Sequence, residues 1–482
     1  MDTENVQLAK DLIEQIQHYQ SVNNRCERYY KGQIPLKNLG ISLPPQMSRI
    51  GTTSHWAKTI VDVLESRIII KGVTHPHAEY NQHIRDLIRS QNILNEISFT
   101  IKDSMIYGVG FLSVSTGDVE KGEPEILVNS ESPSMTTGEW DSRTGKLKSA
   151  IKLIPSDQPG NQHNGYVLML PNETITYDKQ NRVIYRDAHN LGVVPMIRIA
   201  NGVRSHSIWG QSEITEPIRY YIDNYIRTSA SMEISREFHA SPQRFILGAN
   251  EEMFVDENTG EELSAWESYQ GRFLALGRDE EDGSLPQVGS FAASSPEPYL
   301  KIIEQLAEQT ASAAGIPPEY LGAASTTIPS SADAIRMKEN AMISKIQRKL
   351  PTIEKSISDL FDVIFKFLDV DLEVPVRVKF ADPETKTPGA TTDSLQKLIA
   401  IGAFAPTSDY VYERLGLSPE EAEQARAEVQ KNNLVGLLSQ IPQAAEQARA
   451  DSDVAQMNEA ATSAPNQSGD QVLNTEVIGN EK

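Results

Sequence analysis

An α+β fold with mainly helical content is what the sequence predicts, and three observations predict it. Long stretches near both ends and in the middle repeat apolar residues at three-to-four spacing, the period of a helix with one buried face. Between Phe111 and Ala200 the period falls to two, and turn residues separate short apolar runs. At 482 residues the chain exceeds what a single core organises, so several domains are expected.

Residues 4–30 read as an amphipathic helix through Leu8, Leu12, Ile16 and Tyr19, ending in Tyr29-Tyr30-Lys31-Gly32. A break follows between Gly40 and Pro45. A second helix places Trp56, Ile60, Leu64 and Arg67 on one face, and residues 67–73 (RIIIKGV) read as a short buried strand. A third helix, Ile93 to Tyr107, carries Leu94, Ile97, Ile101 and Met105 until Gly108 and Gly110 stop it. Candidate strands are 111–115, 125–128, 148–154, 166–170, 173–177, 183–186 and 194–200, with DSRTGK and YDKQNR as turns between pairs. Such spacing predicts a small antiparallel sheet or barrel.

Ser212 to His239 is the longest uninterrupted helical pattern, about 42 Å at 1.5 Å per residue. Glu213, Glu216, Arg219, Asp223, Arg227, Glu233 and Arg236 decorate the arc left free by its apolar residues. A helix so charged packs on neighbours as well as a core, or stands at a subunit interface. Pro242 ends it. Residues 244–291 form a compact insert with two strand-like pieces, RFILG and RFLALG, and an acidic run Asp279, Glu280, Glu281, Asp282.

A further helix follows Pro296 through Leu300, Ile303, Leu306, Thr310 and Ala313; Gly315 closes it and Pro317-Pro318 forbid its continuation. The stretch from Gly322 to Ser331 has no charge. Ser330 and Asp333 then stand in the S-x-x-D spacing that caps a starting helix. Ile335, Met342, Ile346 and Leu350 keep helical period to Pro351, and a stripe from Ile353 to Leu368 continues beyond it. An ordinary helical hairpin would show the same periodicity. Leu372 to Phe380 reads as a strand, and residues 393–440 return to helices, one starting at a Ser418 cap with Glu421. From Gln443 the composition is too polar to offset the entropy of ordering, so a disordered tail is expected.

The chemistry-bearing patterns are missing. A phosphate-cradling loop needs Gly-x4-Gly-Lys-Ser/Thr; the nearest string, Gly138 to Lys146, has the wrong spacing and Leu147 in place of the hydroxyl, and reads as a hairpin turn. His75, His77 and His83 lie close, but no cysteine or clustered carboxylate joins them and Pro76 marks a loop. No catalytic elbow, zinc helix or calcium-loop spacing occurs, so no catalysis, metal or cofactor is expected. The net charge of −21 argues against wrapping nucleic acid by phosphate neutralisation. One cysteine, Cys26, excludes an internal disulfide framework and points to a reducing compartment. With no signal peptide or membrane-length apolar run, a soluble, cytosolic assembly is expected. One segment departs from the acidic balance. From Ser331 to Lys355 six basic residues, including Arg336, Lys338, Lys345, Arg348 and Lys349, face three acidic ones. Such a face is solvated, pairs with acids, or contacts phosphates.

Two strings carry a resemblance. GIPPEYLG (Gly315 to Gly322), followed by PSSADAIRMKENAMISKIQRK (Pro329 to Lys349), resembles the portal proteins of tailed bacteriophages, siphovirus type. These are ring-shaped channels at one vertex of the virus head through which DNA enters and leaves. The order YYKG, VDVLESRIIIKGV, SMIYGVGFLSV is similar to the opening of that family, and the resemblance runs from about residue 10 to about 440. It implies a ring-forming portal fold. Residues 1–110 would be the helical part of the wing, 111–210 its β part, 211–240 the first stem helix and 241–292 the clip. Residues 293–320 would be the second stem helix, 321–370 the tunnel loop and long helix, 371–392 a strand returning to the wing, 393–442 the crown and 443–482 an acidic tail.

The same resemblance implies a non-enzymatic conduit for double-stranded DNA during packaging and ejection, located in the virion at the capsid vertex. Its tunnel loop would present Ser325, Thr326, Thr327, Ile328, Pro329 and Ser330 to DNA. The basic residues would meet DNA or the next subunit's Glu304 or Glu308, and Asp279–Asp282 would dock the motor or connector. Implied partners are about a dozen copies of itself, the terminase packaging ATPase, a head–tail adaptor, and the major capsid and scaffold proteins, with no membrane. Another structural head component, or a portal-like chain with an enzymatic activity, are the alternatives.

Overall fold

The computed structural model describes residues 2–35, 53–156, 163–239, 244–247, 287–290, 295–323, 332–384, 388–415 and 424–431. The chain divides into two compact units, residues 1–385 and 386–482.

The first unit opens with helix α1 (Asp2–Tyr30), α2 (Trp56–Glu65), strand β1 (Ile70–Thr74), α3 (Ala78–Gln91) and α4 (Ile93–Tyr107). Of β1 only Val73 is buried, so the run expected to be an interior strand is a half-exposed one. Helix α3 has no counterpart in the sequence reading, although Tyr80, Ile84, Leu87 and Ile88 stand at helical spacing and pack on the main core, Ile84 fully buried. Asn92, at φ 54, ends α3 and begins α4, a left-handed conformation that Asn tolerates better than most side chains.

Strands β2 (Val109–Thr116), β3 (Ile126–Glu131), β4 (Thr136–Asp141), β5 (Lys146–Pro155), β6 (His163–Met169), β7 (Thr174–Asp178), β8 (Val183–Asp187) and β9 (Met196–Ala200) follow. They form two antiparallel sheets, β3-β2-β9 and the meander β4-β5-β6-β7-β8. The hairpin expected at residues 138–146 is present, but its turn is shorter. Strand β4 runs on to Asp141, whose carboxylate accepts from Arg143 N at 3.0 Å and Thr144 Oγ1 at 2.9 Å. Alternation buries Ile151, Leu153, Tyr166, Leu168, Ile175 and Tyr177 on one face, which the first half of α1 covers with Ala9, Leu12 and Ile16.

Next come α5 (Glu216–His239), β10 (Arg244–Leu247), β11 (Gln287–Ser290), α6 (Glu297–Ala314), a 3-10 turn (Pro318–Leu321), α7 (Ala332–Phe367) and β12 (Arg377–Phe380). β10 is the first strand-like piece expected in the insert; it pairs antiparallel with β11, while RFLALG lies outside the described residues. β12 pairs antiparallel with β1, Val378 opposite Val73. Helix α7 is continuous over 36 residues despite Pro351, whose missing N–H leaves the Gln347 carbonyl without its helical bond. Ile346 before it and Ile353, Ile357, Leu360 and Phe361 after it are buried in the main core with Trp56, Ile60, Ile97 and Ile101. Each such side chain contributes about 1.5–3 kcal/mol, which offsets the lost bond.

The second unit contains α8 (Pro388–Ala400), α9 (Asp409–Leu415) and a helical stretch at 424–431. Phe404 stacks on Tyr410 at 4.3 Å between ring centroids, and Arg426 pairs with Asp409. The tail expected from residue 443 lies outside the described residues.

Candidate functional site

Backbone links bring the end of α4, the end of β9 and the approach to α5 to one point. Asn201 N donates to Gly108 O at 2.8 Å, Gln211 N to Asn201 O at 2.7 Å, and Glu213 N to Met105 O at 2.8 Å. Between them Gly210 sits at φ +80, where a Cβ would stand 2.3 Å from Gly108 O and 2.5 Å from Asn201 O. Only glycine fits such a crossing. Because Ser212 and Glu213 are engaged here, α5 begins at Glu216 and not at residue 212; its 24 residues span about 36 Å.

Into this junction α7 sends two lysines one turn apart. Lys345 Nζ lies 2.5 Å from Glu213 Oε2, and Lys349 Nζ lies 2.5 Å from Oε1. Lys349 also donates to Asn201 Oδ1, and Lys345 to the Ala314 carbonyl at the end of α6, at 2.7 Å. Asn201 Nδ2 completes the set by donating to Glu213 Oε1 at 2.8 Å. Burial would raise the Glu213 carboxyl, but the two ammonium groups outweigh it and hold it at about 2. The Glu213 carboxylate therefore ties the approach to α5 to the end of β9 and to α7, while Lys345 extends the link to the end of α6 and the Glu213 backbone N–H extends it to α4. Its work is mechanical: it fixes the base of the α5–α6 pair.

A second knot unites the two strings that carry the resemblance. Tyr320 of GIPPEYLG donates to Glu339 Oε1 at 3.0 Å. Arg67, at the end of α2, donates to the same Oε1 at 3.0 Å and to the Tyr320 hydroxyl oxygen at 3.1 Å. Gly315 at φ 70 and Gly322 at φ 82 close α6 and the 3-10 turn, with Ile316 and Leu321 buried between them. The YYKG string is structural too. Tyr29 Oη donates to Asp223 on α5 at 2.6 Å and Tyr30 Oη to Asp62 on α2 at 2.9 Å.

The α5–α6 pair extends away from these knots. On α5 Ile218, Ile222, Ile226 and Ala230 are buried, and on α6 Leu306, Ala307, Thr310, Ala311 and Ala314. Farther out, no residue from 231 to 236 or from 297 to 305 is buried, and Leu300 and Ile302 are 53% and 46% exposed.

The candidate residues distribute unevenly over this geometry. Ser325, Thr326, Thr327, Ile328, Pro329 and Ser330, the acidic run Asp279, Glu280, Glu281, Asp282, and the side chain of Arg336 lie outside the described residues. Lys338 pairs with Glu319. Lys345 and Lys349 are the ligands of Glu213, and Lys349 is largely buried. Arg348 is exposed and borders, with those two lysines, a cleft of about 520 Å³. Glu213 was missed: at sequence level it is one of seven charges on the outer arc of a long helix, and nothing local distinguishes it. His75 is buried as a structural residue. Its Nε2 lies 2.8 Å from the Val374 carbonyl, and its Nδ1 accepts from His77 N at 3.0 Å. Among the described residues no three His, Cys, Asp or Glu side chains gather to hold a metal ion, and no helix is long and apolar enough to cross a membrane.

Comparison with known proteins places this geometry in context. The profile of the family described as phage portal protein, SPP1 Gp6-like, matches residues 9–433. The portal protein of Mycobacterium phage D29 is 27% identical over 422 residues, and that of Mycobacterium phage L5 is 27% identical over 424; each match covers 85% of both chains. Among solved structures, a chain in the neck of an empty GTA particle matches with a TM-score of 0.41 and 15% identity. That match covers 75% of this chain and 89% of the other. A chain in the neck of a native GTA particle matches at 0.39 and 16%, with the same coverage.

Proposed function

Because the chain belongs to the phage portal proteins of the SPP1 Gp6-like family, we propose that copies of it close into a ring of about a dozen subunits that conducts double-stranded DNA. As a member of that family it is a portal component of a phage head, at a head vertex. In the proposed assignment α1–α4 and the two sheets are the wing, α5 and α6 the stem, residues 241–292 the clip, and the second unit contributes the crown. Among the partners would be a terminase ATPase that supplies the energy, a head–tail adaptor, and capsid and scaffold proteins. The chain itself is proposed to have no enzymatic activity.

The observation that carries the ring is the outer half of the α5–α6 pair. Two helices alone leave Leu300 and Ile302 in water, and a helix pair of this length is normally covered along its apolar stripe. Neighbouring copies of the same pair would cover it. A conduit must also not hold what passes through it, and affinity for DNA grows with every phosphate neutralised. The net charge of −21 suits that. Two unit charges ~10 Å apart in water repel by only about 0.4 kcal/mol, and salt weakens this further, so DNA is centred without being blocked.

The loop 325–330 is proposed to face the DNA and Asp279–Asp282 to dock the motor or connector. Of the basic residues, Arg336 and Arg348 are the proposed contacts to DNA phosphates or to the next copy, since Lys345 and Lys349 are occupied by Glu213. Mass photometry and negative-stain imaging of purified protein test the reading: discrete large rings with a central hole are expected. A monomer at every salt concentration and at micromolar protein sinks it, and metal-dependent DNA cleavage or ATP hydrolysis by the purified chain would overturn its non-enzymatic part.

A further inference from the structure

A ring closes only if one face of each subunit fits a different face of the next, because head-to-tail contacts are heterologous. Resting on the ring reading, the question is which two faces meet, and charge singles out a pair on either side of α5.

On one side α1 and α5 enclose a cleft of about 680 Å³ that contains Arg25, Arg28 and Arg219 together with Tyr220. Arg25 and Arg28 are exposed, Tyr220 is 63% exposed, and neither arginine has an ion-pair partner among the described residues. Two carboxylates share the cleft, Glu216 and Asp223, and Asp223 is engaged by the Tyr29 hydroxyl. The cleft is thus net positive in a chain whose total is −21. Arginine and tyrosine are also the residues most enriched where interfaces hold their binding energy.

On the other side lies α6. Tyr221 points there, beside Glu308, Gln309 and Ser312. At 100° per residue it is turned about 150° from the mean direction of Arg219, Tyr220 and Asp223. Helix α6 carries three glutamates and one lysine; Lys301 is taken by Glu297, which leaves Glu304 and Glu308 without an ion-pair partner among the described residues. Glu308 is exposed and Glu304 half-exposed.

We infer that the arginine cleft of one subunit receives the α6 face of a second copy of this chain, with Arg25 and Arg28 opposite Glu304 and Glu308. The contact continues along α6 to the exposed Leu300, which at 100° per residue lies about 40° from Glu304 and about 80° from Glu308, so the same neighbour that neutralises the arginines shields it. Rim charges of this kind set registration and association rate. Each pair is weak by itself, but the ring repeats it at every junction.

The test uses two full-length double variants, Arg25→Glu with Arg28→Glu, and Glu304→Lys with Glu308→Lys. Thermal melts equal to wild type establish that each folds; the single reversal Arg28→Glu, which keeps a negative charge in the cleft, replaces the first variant should it not. By mass photometry each variant alone is expected to need at least tenfold more protein to assemble than wild type. Mixed one to one they are expected to assemble again, because every junction in an alternating ring then has opposite charges. Rings from either variant at the wild-type concentration remove these residues from the interface while leaving the ring reading intact. Two assembly-deficient variants that fail to rescue each other show that the two faces do not meet. A wild-type chain that never assembles removes the ring reading, and this contact with it.

Discussion

Glu213 and Asp103 are both carboxylic acids drawn out of water, and they respond to pH in opposite senses. Lys345 and Lys349 outweigh burial at Glu213 and lower it from 4.5 to about 2. The unfolded chain then binds a proton that the folded one refuses, so the stabilisation is present above about 4.5 and lost as pH falls toward 2. At neutral pH it is roughly 3 kcal/mol. Glu213→Gln should therefore lower stability at pH 7 by about 3–5 kcal/mol, because two ammonium groups lose their counter-ion, and should flatten the acid limb of a denaturation series. Asp103, on α4, is the reverse. Burial and then the negative charge of Glu27 raise it to about 6, so the folded chain keeps a proton the unfolded one has released. That stability is present below about 3.8 and lost as pH rises through 6. Asp103→Asn should stabilise the fold by about 1–3 kcal/mol at pH 7.5 and leave it unchanged at pH 3.5, measured by urea unfolding at both values. Thr327 belongs to the proposed DNA-facing loop. A hydroxyl offers a phosphate a weak, exchangeable bond, whereas Thr327→Lys would place a charge-assisted contact at every subunit. Packaging by Thr327→Lys rings should slow or stall, most at low salt, and Thr327→Ser should be near neutral. Packaging at the wild-type rate in low salt would show that the loop does not touch DNA.

Elements here are joined by crossings that leave no room for a side chain. At Gly210 the approach to α5 passes between the carbonyls of Gly108 and Asn201 at a positive φ. Gly210→Ala should cost at least ~2 kcal/mol from the clash and the strained backbone together, read as a fall in the denaturation midpoint. Its position was not legible in the sequence, because a glycine among turn residues looks the same whether it is in open solvent or at a crossing. Helix periods were legible: α1, α2, α4, α5, α6 and α7 all lie where the three-to-four spacing puts them, since each buries a stripe of its own sequence. Helix α3 was not recognised although Tyr80, Ile84, Leu87 and Ile88 stand at helical spacing and pack on the main core; Pro76 and the neighbouring histidines made the segment read as a loop. Strand β4 was hidden by Gly138, read as part of a turn. The residue is glycine because a Cβ would stand 2.6 Å from the Ser149 carbonyl across the ladder.

For the whole molecule, the prediction concerns what one chain leaves uncovered. Leu300→Asp on the outer half of α6 replaces a side chain that is 53% exposed in the single chain. The melting temperature of the unassembled protein should hardly change, since exposed positions usually move stability by less than ~0.5 kcal/mol. Ring formation should be lost or pushed to much higher concentration. Assembly at the wild-type concentration would show that this face stays in water.

Family, fold class and the location of most helices and strands were determined by the sequence alone, because periodic burial and the GIPPEYLG and YYKG strings are local patterns. Those strings proved to mark local geometry, glycines at left-handed positions and tyrosines that tie helices together. Only the tertiary structure decided the roles of individual charges. Glu213, Lys345 and Lys349 look in sequence like a solvated acid and part of a basic face, yet they lie 132 to 136 positions apart and meet inside the chain. An ion pair is decided by which surfaces pack together, and that is a property of the folded whole that no window of sequence contains.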